Sequence, residues 1–321
     1  MKELNESLMK QGSMWLPRSA STYSDNVDFL FNVITYGSFI LFVLLIAITV
    51  YFAFKYRRTQ FNLKAKSQIT HNNALEITWT IIPLIILMGI FVWGGMDYLT
   101  LTVPPSNAME IRVVGKKWLW QFDYPQQGLK TINEIVVPLG QPVKLIMSSD
   151  DVIHSFYIPN FRIKKDVVPN RYTRVWFEAK VTGNFQIFCA EYCGDGHSGM
   201  LANLRVLPRD EYDEWLKKGA SGDDLPLDKL GEKLYVSNAC NTCHSMDGTV
   251  KTGPSWKGIY GQKRELANGS VVTIDDEYIR ESVLDPSLKV VKGYQPVMPT
   301  YKGLLNERQI NGLIEYIKTL K

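Results

Sequence analysis

The sequence predicts a multi-domain membrane protein: a two-helix transmembrane hairpin, a β-sandwich domain and a final all-α domain. Three observations carry this. Two long, nearly uncharged apolar runs occupy residues 29–54 and 77–101. Between 108 and 208, short segments alternate polar and apolar residues and are broken by Gly, Pro, Asn and Asp. From 227 onward the apolar residues recur at helical spacing instead, as in Ile310, Leu313, Ile314, Ile317 and Leu320.

The 321 residues, with a formal charge of +4 and no run of five basic residues, leave no nucleic-acid footprint. Residues 1–28 are polar and mixed, and they lack the central apolar run of a secretory signal. They are expected to form an external arm. The hairpin then covers 29–102, each run exceeding the roughly 20 residues that a helix needs to cross a bilayer. Pro83 is expected to kink the second helix. Lys55, Arg57, Arg58, Lys64 and Lys66 lie between the runs, with no acidic residue from 55 to 74. By the positive-inside rule that loop is cytoplasmic, and the amino terminus and everything after the hairpin face outward. Glu76 stands at the cytoplasmic mouth of the second helix. The residues leave two readings open, a helix cap or a proton-carrying acid.

Residues 103–217 form the sandwich, with strands expected near 110–114, 118–122, 134–137, 143–147, 172–177 and 184–188. A short charged helix is expected over 210–218, a linker over 218–226 and the all-α domain over 227–321. Its last helix begins at the N-cap Asn306.

Cysteine and histidine are scarce, four of each, and most sit at two spots. Within 189–200 stand Cys189, Glu191, Cys193, Asp195, His197 and Met200. Thiols, a thioether and an imidazole form a soft donor set that suits copper, and Gly194, Gly196 and Gly199 let the loop fold onto one point. His154, just past a strand, is a candidate further ligand. The second spot, Cys240-Asn241-Thr242-Cys243-His244, has the spacing of covalent c-type haem attachment. A methionine on the opposite haem face gives an electron carrier its raised potential. Met246 follows His244 too closely to reach that face, so Met298, on a loop between Pro296 and Pro299, is the expected ligand.

On these residues the chain resembles subunit II of the haem-copper cytochrome c oxidases, over roughly 29–217, in the branch with a fused C-terminal cytochrome c. The resemblance implies a cupredoxin-like fold for the sandwich and a class I cytochrome c fold for the tail. It also implies a binuclear copper centre, CuA, in which Cys189 and Cys193 bridge two coppers and His154 and His197 bind one each. Met200 and the Glu191 backbone carbonyl would take the weak axial positions. Trp118 matches the tryptophan through which electrons enter, Glu76 an acid at the mouth of a proton pathway, and the Glu191 side chain a magnesium site shared with subunit I. The chain would then accept electrons from cytochrome c or a membrane-bound donor complex through its haem c. It would pass them through CuA to haem in subunit I, within a proton-pumping oxidase of several subunits in a bacterial inner membrane, its CuA and cytochrome domains periplasmic. Four histidines are too few for an oxygen site, so oxygen reduction belongs to that partner. A CuA-bearing nitric or nitrous oxide reductase subunit, a copper-delivery protein and a membrane-tethered cytochrome c carrier are the rival readings. Arg162, Lys164 and Lys165 are more basic than the family pattern and receive no role.

Overall fold

The structure, a computed structural model, describes residues 12–58, 69–218 and 225–321. Lys64 and Lys66 of the basic loop, 219–224 of the expected linker and 1–11 of the expected arm lie outside them. Contacts divide the chain into a unit spanning 23–103 and a second unit comprising the remainder.

The first unit holds α1 (Ser24–Lys55) and α2 (Asn73–Thr102). Almost every apolar side chain on both is exposed, as in helices whose solvent is lipid. Helix α1 starts ahead of its apolar run because Ser24–Asp28 extend it, with Asp25 complementing the positive end of the dipole. In α2 the start is fixed by reciprocal capping. Asn72 accepts the Leu75 N–H at 3.1 Å, and the Glu76 carboxylate accepts the Asn72 N–H at 3.2 Å. Thr78 and Thr80 donate to the carbonyls of Ala74 and Glu76, hiding hydroxyls that lipid cannot solvate. The helix runs through Pro83 without interruption.

In the second unit ten strands form two five-stranded sheets. The first has the order β3 (Leu129–Ile132), β2 (Leu119–Tyr124), β1 (Met109–Lys116), β5 (Pro142–Ser149), β8 (Thr173–Glu178). The second has β4 (Glu134–Pro138), β10 (Leu201–Leu207), β9 (Gly183–Cys189), β6 (His154–Ile158), β7 (Ile163–Val167). Inward residues of alternating strands, among them Ile111, Val113, Trp120, Phe122, Phe156, Ile187 and Leu204, are almost wholly buried between the sheets. Two register facts position the site. Strands β6 and β9 pair antiparallel with Phe156 opposite Cys189, which puts His154 beside the end of β9. Strands β9 and β10 form a hairpin whose loop is the soft-donor segment.

Residues 12–22 lie against the sandwich edge. Ala20 donates to the Asn160 carbonyl and accepts from the Lys180 N–H. Arg162, left-handed at φ 56°, donates to the carbonyls of Pro159 and Pro17. Its role is structural.

After α3 (Arg209–Lys218) the chain enters the C-terminal helical domain: α4 (Leu227–Ser237), α5 (Cys240–Cys243), the hairpin β11 (Lys263–Glu265) and β12 (Val271–Thr273), α6 (Asp276–Leu284) and α7 (Glu307–Thr319). Helix α7 opens with a full capping box between Asn306 and Gln309. Helices α4 and α7 cross at Gly231 and Gly312, where a Cβ on Gly231 would lie 2.0 Å from the Gly312 carbonyl oxygen. Gly231→Ala is therefore expected to destabilise this domain by about 2 kcal/mol, as overpacking does. That is a fall on the order of 10 °C in its calorimetric melting temperature.

Leu119 and Ile132 of the sandwich belong to the same apolar cluster as Leu230, Trp256, Leu305 and Leu313. The C-terminal domain is thus packed against the sandwich.

Candidate metal and haem centres

At one end of the second sheet five side chains converge. Cys189 Sγ lies 3.8 Å from Cys193 Sγ and 3.8 Å from His154 Nδ1. Cys193 Sγ lies 3.5 Å from His197 Nδ1 and 3.7 Å from Met200 Sδ. The Glu191 carbonyl oxygen is 3.2 Å from Cys189 Sγ, while the Glu191 side chain is exposed. His154, Cys189 and Cys193 are the one group of three ligating side chains among the described residues whose donor atoms lie within 4.8 Å of one another. His154 and Met200 are fully buried, the thiols nearly so, and His197 is half-buried.

Local structure explains the convergence. A 3₁₀ turn at His197–Gly199 folds the loop back so that Met200, just before β10, meets Cys193. Gly194, at φ 116°, takes a conformation that side-chain-bearing residues rarely adopt. Gly196 lets the Trp118 indole lie on the loop, where a Cβ would stand 2.4 Å from the ring. Trp118 Nε1 donates to the Cys193 carbonyl at 3.2 Å.

Burial pushes both thiols toward the neutral form. At Cys189 that push is outweighed by the neighbouring His154 ring and by the Ser155 backbone, which lower its pKa. At Cys193 burial and then the Cys189 charge act together and push it up to about 12. Cys189 is the thiol that ionises first.

Sequence reading missed the surroundings of His154. Asp151 accepts from His154 Nε2 at 2.8 Å, Trp120 packs edge-on at 5.9 Å, and a Cβ at Gly115 would collide with the ring. The signal available was a carboxylate three residues ahead of the histidine.

The second spot is a cleft in the C-terminal domain. Cys243, His244 and Met298 line both a cavity of about 130 Å³, walled by Ile274, Ile279 and Val283, and a smaller one of about 40 Å³. The latter adds Cys240, Tyr301 and, from the sandwich, Trp118 and Leu119. His244 Nδ1 lies 2.7 Å from the Pro254 carbonyl. A carbonyl only accepts, so Nδ1 carries the proton and Nε2 keeps its lone pair. Burial lowers the His244 pKa and keeps the ring neutral. Gly253 permits this approach, since a Cβ there would lie 2.7 Å from the imidazole. Met246 faces elsewhere: its sulfur accepts the Tyr316 hydroxyl at 2.7 Å.

Both donor sets fit the expected groups: thiolates, imidazoles and a thioether for copper, and two thiols, a neutral imidazole and a methionine lining the same cavity for haem c.

Three family descriptions match in order along the chain. Residues 9–94 match the transmembrane domain of cytochrome c oxidase subunit II, 126–206 its periplasmic domain, and 229–321 cytochrome c. Cytochrome c oxidase subunit 2 of Alkalihalophilus pseudofirmus is 33% identical over 283 residues, covering 83% of this chain and 79% of that protein. The same subunit of Bacillus sp. strain PS3 is 30% identical over 292 residues, covering 84% and 80%. The chain belongs to the cytochrome c oxidase subunit II family. A crystal structure of the periplasmic domain of subunit II of the Bradyrhizobium japonicum cytochrome oxidase is 30% identical, covering 36% of this chain and 96% of that one, with a TM-score of 0.35.

Membership makes this a membrane-anchored subunit of an oxidoreductase complex, partnered with subunit I. It implies copper in the cupredoxin-like domain and haem c in the cytochrome c domain.

Proposed function

We propose that this chain receives electrons for a proton-pumping terminal oxidase. An external donor, either cytochrome c or a membrane-bound complex, reduces the haem domain on the periplasmic side of a bacterial inner membrane. The electrons leave by way of CuA for haem in subunit I, where oxygen becomes water.

One observation carries the reading. Trp118 touches both centres, packing on Gly196 and donating to the Cys193 carbonyl while lining the cavity of Cys240, Cys243, His244 and Met298. Beneath the cytochrome domain it is only 7% exposed. The residue expected to meet a soluble donor is covered by the chain's own haem domain, so external donors address that domain instead.

Cys189, Cys193, His154, His197, Met200 and the Glu191 carbonyl would hold the copper. Cys240, Cys243, His244 and Met298 would hold the haem. When bound, these groups supply one-electron redox stations, the shared thiolates spreading each electron over two ions. The rest is done by protein side chains. The sandwich fixes the ligands at strand ends so that little moves on reduction, and Trp118 excludes water between the centres. Glu76 caps α2, and its proton-uptake role rests on the family match alone.

Trp118→Phe keeps an aromatic ring and removes the bond to Cys193. It is expected to slow haem c oxidation in the assembled complex by on the order of 10- to 100-fold through lost positioning, with copper content unchanged, as read by stopped-flow absorbance.

Affinity purification of the full chain tests the whole reading. The expected result is co-purification of subunit I, two coppers per haem c, and oxygen consumption. A preparation that reduces nitric oxide and not oxygen overturns it.

A further inference from the structure

His154 is held from outside the copper loop by a group that is not itself a candidate ligand. Asp151 Oδ1 lies 2.8 Å from His154 Nε2 and accepts the Val152 N–H at 2.6 Å. The Ser149 hydroxyl approaches the same oxygen at 3.3 Å. The other oxygen, Oδ2, accepts the Lys117 N–H at 2.7 Å. Lys117 immediately precedes Trp118, so one carboxylate holds both a candidate ligand ring and the segment carrying the residue between the two centres. These contacts come from opposite sheets, since His154 begins β6 and Lys117 follows β1.

We propose that Asp151 is a positioning residue of the copper centre, holding the His154 ring by Nε2 and the Lys117–Trp118 segment by the Lys117 N–H.

The chemistry favours this assignment over a surface salt link. A carboxylate has only acceptor oxygens, so the hydrogen between it and His154 sits on Nε2. Nδ1 is thereby left to point at Cys189 Sγ, 3.8 Å away. Histidines that bind metals commonly donate their second ring N–H in this way, which fixes the tautomer and raises ligand basicity. The ring is crowded by its neighbours: Gly115 has no room for a Cβ against the imidazole, and Trp120 packs edge-on to it at 5.9 Å. Two backbone N–H donors, of Val152 and Lys117, also bond the carboxylate, so it cannot rotate away without leaving backbone hydrogens unpaired. The adjacent Asp150 carries the same charge but points elsewhere, 2.8 Å from Lys116 Nζ.

The inference rests on His154 as a copper ligand, and the test separates the two. The full chain, solubilised in detergent and loaded with copper, is titrated with a competing chelator while its visible thiolate-to-copper bands are recorded. Asp151→Asn keeps the shape but cannot accept from His154 and Lys117 at once. It is expected to weaken copper retention roughly 10- to 100-fold and shift the bands, while Asp150→Asn stays within about twofold. If Asp151→Asn behaves like Asp150→Asn while His154→Ala loses copper, the positioning role is overturned and the ligand assignment stands. If His154→Ala retains both coppers with unchanged bands, the ligand assignment falls and the inference with it. Should Asp151→Asn not fold, Asp151→Ala refolded with formate takes its place, because Asp151 is exposed enough to admit a small carboxylate. Recovery of the bands with formate supports the role, and failure to recover them overturns it.

Discussion

Cys189→Ser is expected to leave the complex with its haem c and without its copper pair. Oxygen consumption should fall by more than about 100-fold, beyond what loss of an outer-shell partner costs. The geometry makes Cys189 central: its sulfur faces Cys193, His154 and the Glu191 carbonyl at once. A serine hydroxyl is a hard donor that stays protonated, whereas this thiol has its pKa lowered by its surroundings and offers the soft sulfur that copper prefers. The substitution barely changes volume, and the Cys189 backbone lies near the paired end of β9, opposite Phe156. Circular dichroism should therefore show the sandwich intact. Metal analysis checks the prediction, and two coppers retained per haem would refute the bridging role.

How much of this was legible in the sequence varies by element. The hairpin was plain because length and apolarity alone define a helix in lipid. The soft-donor loop and the Cys-x-x-Cys-His segment were equally plain, their ligand spacing being local. Strand β7 was not, because Ile163 and Val167 are buried while the three residues between them are exposed and charged; it reads as a basic loop. Strand β10 alternates as a strand should, yet it follows the metal loop directly and was absorbed into it. Asp151 escaped because its second partner, Lys117, lies 34 residues away in sequence. The burial of Trp118 could not be read at all. Its ring lies on Gly194 and Gly196 and lines a cavity with Cys240, Cys243 and His244, and nothing in the local pattern of β2 or β3 distinguishes an interdomain contact from ordinary core. Local chemistry identified the donors, and tertiary packing determined how the two centres communicate.

That division makes the haem's second axial ligand the most informative remaining substitution. Met298→Ala is expected to abolish the sulfur-to-iron absorption band at the red end of the spectrum and to lower the haem potential. The fall should be about 0.1 V or more, within the roughly 0.8 V range that axial ligands set. Met298 lines both cavities with Cys243 and His244, on a stretch bounded by Pro296 and Pro299 that limits how far it can swing. Met246→Ala should leave the band in place, because the Met246 sulfur is engaged by the Tyr316 hydroxyl. The cost there is confined to that contact between Met246 and α7. A potential lowered at Met298 would also make haem c a stronger reductant while removing the ligand that keeps its geometry constant between redox states. Stopped-flow measurement on the intact complex then separates driving force from positioning. Faster haem oxidation in Met298→Ala would mean that transfer past Trp118 is limited by potential. Slower oxidation at the lower potential would mean that it is limited by the geometry of the cleft.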